Sequence, residues 1–189
     1  MEALTGIFSA FGLSASAGLN AYIPLLTMAL LAKYTDLIKL SSPWDTLTSW
    51  WVIGLLVVLL LIEIFADKVP AVNHINDILQ TFVRPVAGAI AFAAAAGVVS
   101  DVHPVLAMAA GLLVAGSVHT AKAVAVRPAV TVTTGGIGNT PVSILEDIVS
   151  TVVSILAIVI PILIGLLIIL VLALAFWWLR RRSNRPQTA

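Results

Sequence analysis

Apolar residues run almost without interruption through four stretches of this chain, and polar residues gather in short clusters between them. The stretches are WWVIGLLVVLLLIEIFA, PVAGAIAFAAAAGVV, PVLAMAAGLLVAGSV and ILAIVIPILIGLLIILVLALAFWWL. Each reads as a membrane span, which needs about 20 mostly apolar residues to cross a hydrocarbon core of about 30 Å. The N-terminal MEALTGIFSAFGLSASAGLNAYIPLLTMALLAKY supplies a fifth hydrophobic element. Its SASA segment invites a signal-peptide reading, but Glu2 stands where a basic region is required and no Lys or Arg precedes SASA, so the element is expected to stay. The distance from Leu4 to Lys33 exceeds one straight span, which fits either a kinked or re-entrant element or a tilted helix.

The pattern predicts an all-α integral membrane protein with five to six hydrophobic helical elements. One transmembrane domain covers residues 1–182, and residues 183–189 form a tail. The segments GLSASAGLNAYIP (Gly12 to Pro24) and GSVHTAKAVAVRP (Gly116 to Pro128) share a Gly opening, small residues and a Pro at equal distance. They suggest repeat halves, 1–100 and 101–182, whose odd number of elements would invert one relative to the other. Pro161 leaves two options for the last apolar run: one kinked helix, or a break buried in protein. Small residues recur at every fourth position in Gly6, Ala10, Ser14 and Gly18, in Ala89, Ala93 and Gly97, and in Ala107, Gly111 and Ala115. In lipid, such stripes let helices pack closely.

Composition sharpens this picture. Only 10% of residues are charged and mean hydropathy is +1.10, which excludes a soluble domain. The absence of cysteine removes disulfides, thiolate metal sites and thiol nucleophiles. Arg180, Arg181, Arg182 and Arg185 follow Trp177 and Trp178, which predicts a cytoplasmic C-terminus in the cell membrane. No nucleophile–base set, P-loop, G-x-S-x-G or Rossmann pattern is present, so an enzyme is the least expected class, and neither a cofactor nor a nucleic-acid partner is called for.

The polar stretch VRPAVTVTTGGIGNTPVSILED is the most distinctive interruption. Its Thr-rich part looks extended, Gly135, Gly136 and Gly138 permit positive φ, and Thr140 before Pro141 suggests a helix start with an anion-binding N-terminus. It is either a site at membrane depth or an ordinary loop outside. Glu63 and Asp67 share a helical face, and Glu63 lies in an apolar run, where it either carries a proton or cation or pairs with Lys68, Arg84 or Lys122. In AVNHINDILQTFVRP, Asn73, Asn76 or Asp77, Gln80 and Arg84 oppose Val72, Ile75, Leu79 and Phe82. That pattern favours a helix on the membrane surface, and otherwise a polar stripe lining a pathway with Arg84 deepest. Arg84-Pro85 and Arg127-Pro128 can grip an anionic head group or snorkel to lipid phosphate. His119 continues the small-residue stripe from Ala115, His74 lies near Asp77 and His103 near Asp101. Their spacing makes a poor metal site.

With GLSASAGLNAYIPLL, EIFADKVPAVNHINDILQTFVRPVAGA and GIGNTPVSILED in view, the chain resembles a bacterial family of small multi-pass membrane proteins known only as a domain of unknown function. ADKVP and RPVAGA carry the likeness most specifically. The resemblance implies a shared membrane fold and no activity. A looser, architectural similarity is to transporters of polyprenyl-phosphate lipids, which use inverted halves with re-entrant Gly- and Pro-rich segments. No motif is shared with them, so no residue role is transferred.

The expected function is a small transporter, homo-oligomeric and in contact with membrane lipids. Asn20, Arg84, Arg127, Gly135, Gly136, Gly138 and Asn139 are expected to bind an anionic solute or lipid-phosphate head group. Glu63, Asp67, Glu146 and Asp147 are expected to carry coupling protons or a cation. Two alternatives stand beside it: a metal or alkali-cation transporter or channel using the carboxylates, and a nontransporting scaffold or assembly partner.

Overall fold

A computed structural model describes residues 2–66, 70–97 and 102–183. The chain is an all-α membrane protein, and among the described residues no strand occurs. The helices are α1 (Glu2–Leu19), α2 (Tyr22–Tyr34), α3 (Trp50–Ala66), α4 (Pro70–Ala96), α5 (Pro104–Ala121), α6 (Arg127–Thr134), α7 (Asn139–Val159) and α8 (Pro161–Ser183). A 3-10 turn, Trp44–Thr48, precedes α3, and a π-helical segment, Lys122–Val126, joins α5 to α6. Long apolar helices able to cross a membrane cover Ile78–Ala96, Pro104–Thr134, Asn139–Val159 and Pro161–Trp178, and shorter apolar helices cover Leu4–Leu19, Tyr22–Tyr34 and Trp50–Ala66.

The hub is α1, which packs against α4, α5, α7 and α8. The small-residue stripes make this possible. Ala10, Ser14, Ala89, Ala93, Ala107 and Ala115 are all buried. A Cβ on Gly18 would lie 2.6 Å from the Ala115 carbonyl, and one on Gly111 would lie 2.6 Å from Phe92 Cβ. Such distances force a neighbour to move, so the close approach of α1, α4 and α5 depends on glycine.

At Asn20 the first element folds back on itself. The Asn20 amide still donates to Ser16 O at 3.1 Å, ending α1, while its side-chain Oδ1 accepts from the backbone N–H groups of Tyr22 and Ile23 and so caps α2. On one arm, Phe11 of α1 meets Phe92 edge-on with ring centroids 5.1 Å apart, on the side where Gly97 lies against Trp44. On the other arm, Lys33 donates to Thr48 O at 2.7 Å and sits over the Trp50 ring. Both arms therefore point toward the 3-10 turn. The pair is a hairpin with its apex, Asn20, buried inside the bundle.

The last apolar run breaks at Ile160, whose backbone lies at φ −135°, ψ 65°. Pro161 has no N–H and cannot donate to the carbonyl four residues earlier, that of Ala157. Ser9 Oγ donates to that carbonyl instead, at 2.6 Å. The carbonyl freed by the break is thus satisfied inside the protein, while Val159, Ile160 and most of α8 are exposed and apolar. The seam between α1 and α7 is otherwise made of serine: Ser16 Oγ donates to Ser150 O at 2.8 Å and lies 2.7 Å from the hydroxyls of both Ser150 and Ser154.

Gly111→Leu is expected to wedge α4 from α5 and to cost about 1–3 kcal/mol, read as a lowered unfolding midpoint in detergent. Gly54→Leu, where a Cβ meets nothing within 4 Å, is expected to leave the midpoint unchanged.

Candidate functional site

Two clusters of buried charge meet at the apex of the α1–α2 hairpin. In the first, Arg84 of α4 donates through Nη2 to Glu63 Oε1 of α3 at 2.8 Å, and both side chains are 1% exposed. Arg84 Nη1 faces His119 Nδ1 at 3.5 Å, and His119 Nε2 lies 3.2 Å from Thr81 Oγ1. A guanidinium only donates, so Nδ1 is the acceptor and the proton sits on Nε2, assigned from the network. Tyr22 lies beside this group, near Gln80 and within reach of the charges of Glu63 and Arg84.

In the second cluster, Lys122 Nζ lies 2.6 Å from Glu146 Oε2, and Arg127 Nη2 lies 3.5 Å from the same oxygen. Lys122 Nζ also donates to Leu19 O at 3.4 Å, at the C-terminal end of α1, where a cation is favoured. Asn20 Nδ2 donates to Asp147 Oδ1 at 2.9 Å. Lys122 and Arg127 are five residues apart, and on a regular α-helix they would point about 140° away from each other. The π-helical segment between them, in which Arg127 N–H bonds Lys122 O, aligns i with i+5 and brings both cations onto one carboxylate. Pro128, which cannot donate to the preceding turn, accounts for the irregularity.

Each of these charges would be costly at membrane depth if isolated. Paired, they form a polar junction inside an apolar bundle. A cavity of about 380 Å³ between α1, α5 and α7 has Lys122 and Glu146 in its lining, and another of about 440 Å³ between α2, α3 and α7 includes Asp147 and Thr151.

The sequence-predicted residues divide. Asn20, Glu63, Arg84, Arg127, Glu146 and Asp147 gather around the apex. Gly135, Gly136, Gly138 and Asn139 do not join them. Gly135 and Gly136 adopt φ 64° and 90° in a turn where a Cβ would meet nothing within 4 Å, Gly138 packs on Val130 and Thr134, and Asn139 donates to Thr131 Oγ1. Val132 and Ile137 beside them are 85% and 84% exposed, so this stretch lies at the surface of the protein. Asp67, Lys68, Asp101 and Arg185, and the side chains of Asn73, His74, Asp77 and Arg182, lie outside the described residues.

Three local expectations are corrected. The Thr-rich segment is helix α6, because Thr131, Thr133 and Thr134 satisfy their hydroxyls on carbonyls of the preceding turn and leave the ladder intact. Helix α7 begins at Asn139 with Gly138 rather than Thr140 at its cap. The amphipathic segment around Arg84 does not lie on the membrane surface: Asn76, Gln80 and Arg84 are buried, while Ile78, Leu79 and Phe82 are exposed. Its polar stripe faces protein and its apolar side faces outward, with Arg84 deepest. Neither arginine snorkels, since Arg84 and Arg127 are both buried against glutamates.

The sequence offers Lys122 only as a possible partner of Glu63. A lysine inside the apolar VHTAKAVAVRP was the signal for a larger role. Among the described residues no three His, Asp or Glu side chains converge as a metal site would require.

A family model described as a domain of unknown function (DUF4126) matches residues 7–181. No curated protein and no solved structure matches the chain.

Removing one partner of the Glu63–Arg84 pair is expected to cost about 3–5 kcal/mol, because the other charge stays buried. Glu63→Gln should therefore unfold far more readily in a detergent titration, while the double variant Glu63→Leu/Arg84→Met should return close to the parent protein. Losses that simply add would mean the two side chains do not act as a unit.

Proposed function

The chain belongs to this family of unknown function, and from the geometry of the site we propose that it is a small membrane transporter for an anionic substrate, coupled to protons. The observation that carries the reading is that two buried cations, Lys122 and Arg127, share one oxygen of Glu146 beside a cavity. A substrate anion can take the place of the Glu146 carboxylate. Displaced from its cations in an apolar wall, Glu146 then binds a proton, so one negative charge replaces another and the buried charge is conserved. Anion and proton travel together in this scheme. Glu63 stays held by Arg84 as a fixed counter-ion, and Asn20 keeps Asp147 and the hairpin apex in place.

The cation-transport reading has less support, because Glu63 and Glu146 already face fixed cations and are poor ligands for another. A scaffold role predicts that neutralising these residues harms only folding or assembly. In proteoliposomes, an imposed anion gradient is expected to drive proton uptake. Glu146→Gln should bind substrate yet lose the dependence of transport on pH, and Lys122→Gln should lose binding. Folded variants with no change in any flux would instead favour the scaffold.

The reading extends to architecture. The two related segments are irregular at matching places, with the Asn20 break in one and the π-helical segment in the other, which supports two repeated halves. Arg180 and Arg181 after Trp177 and Trp178 support a cytoplasmic C-terminus in the cell membrane. The uncovered apolar length of α8 supports a homo-oligomer with α8 at its interface. Leu167→Cys is expected to form a disulfide-linked dimer on oxidation in membranes; a monomer under those conditions would count against that interface.

A further inference from the structure

We infer that the substrate is an amphiphile, an anionic lipid whose phosphate-type head group meets Lys122 and Arg127 while its chain occupies the groove between α1, α5 and α7. This rests on the anion reading above and names the substrate class for the same site. The groove walls are apolar, formed by residues that include Leu19, Val126, Leu145 and Val149, and its polar lining residues are Lys122 and Glu146. Val126, Leu145 and Val149 are 45%, 58% and 40% exposed, so the groove opens sideways on the outer apolar surface of the bundle. Lys122, at 4% exposure, lies behind it.

A ligand reaching Lys122 by this route passes between aliphatic side chains. A small hydrated anion would shed its water there with nothing to replace it. A lipid already in the bilayer brings its own apolar chain to those walls and exposes only its head group to the cations. Charge also selects which groove is used. The second groove, between α2, α3 and α7, offers an anionic head group the carboxylate of Asp147 and no cation in its lining, whereas the first presents Lys122, whose partner Glu146 is also reached by Arg127. The π-helical segment contributes both parts of the site, since Lys122 and Val126, its first and last residues, line the same groove.

The test uses the full chain in detergent, exposed to phosphatidic acid and phosphatidylcholine of identical acyl chains and to inorganic phosphate, with bound species read by native mass spectrometry. Phosphatidic acid is expected to be retained about tenfold over phosphatidylcholine. Leu145→Trp and Val149→Trp fill the groove from its exposed side, where the fold tolerates bulk, and should abolish that preference. Lys122→Gln should do the same without altering phosphatidylcholine adhesion. Equal retention of the two lipids, or preference that survives both tryptophans, overturns the inference. Binding of inorganic phosphate without phosphatidic acid overturns it while sparing the anion reading, and binding of neither removes both.

Discussion

A chain surrounded by hydrocarbon must satisfy every freed backbone group and every charge from its own atoms, and this constraint organises the whole molecule. The helical breaks show how it is met. At Asn20 one side chain both caps α2 and holds Asp147. At Pro161 the carbonyl that proline abandons is taken by Ser9 from another helix. Ahead of Pro128 the ladder stays closed by widening into a π turn. Each irregularity is tied to a contact distant in sequence, so the breaks lie at the joints of the fold and cannot be moved separately.

The same constraint shapes the site. Glu63 and Arg84 form a pair sealed from the surroundings, while Lys122, Arg127 and Glu146 form a cluster beside an apolar groove. The first is suited to holding α3 against α4. The second borders a groove, and on the proposed reading that difference separates an anchoring element from one that exchanges partners with a ligand.

The spans, the small-residue faces and the irregularity near Asn20 were legible in the sequence because each follows from local composition: apolar length, recurrence every fourth residue, and Gly, Asn and Pro in close succession. Partnership was not. Glu63 had Lys68, Arg84 and Lys122 within conceivable reach, and only the packing of α3 on α4 selects among them. The polar stripe of Asn76, Gln80 and Arg84 was visible as a stripe, but periodicity has no sign and could not say whether that side faced water or protein. Lys122 and Arg127 do not read as a pair in the sequence because α-helical geometry places residues five apart on different faces. The glycine turn looks like a site in the sequence for the opposite reason, since positive φ marks a tight turn wherever it occurs and carries no information about depth.

The serine seam between α1 and α7 has a mechanical meaning. Ser16 contacts hydroxyls at Ser150 and Ser154, which are one helical turn apart on α7. Any of these hydroxyls can donate or accept, so the three can exchange hydrogen-bond roles while their oxygens stay in place, whereas a slide of one turn, about 5.4 Å, would set Ser16 beside Ile158 or Glu146 and break the Ser9 and Asn20 contacts. The seam is thus a latch with one register, whose protons can rearrange while its oxygens stay fixed, and it lies along the same face of α7 that carries Glu146.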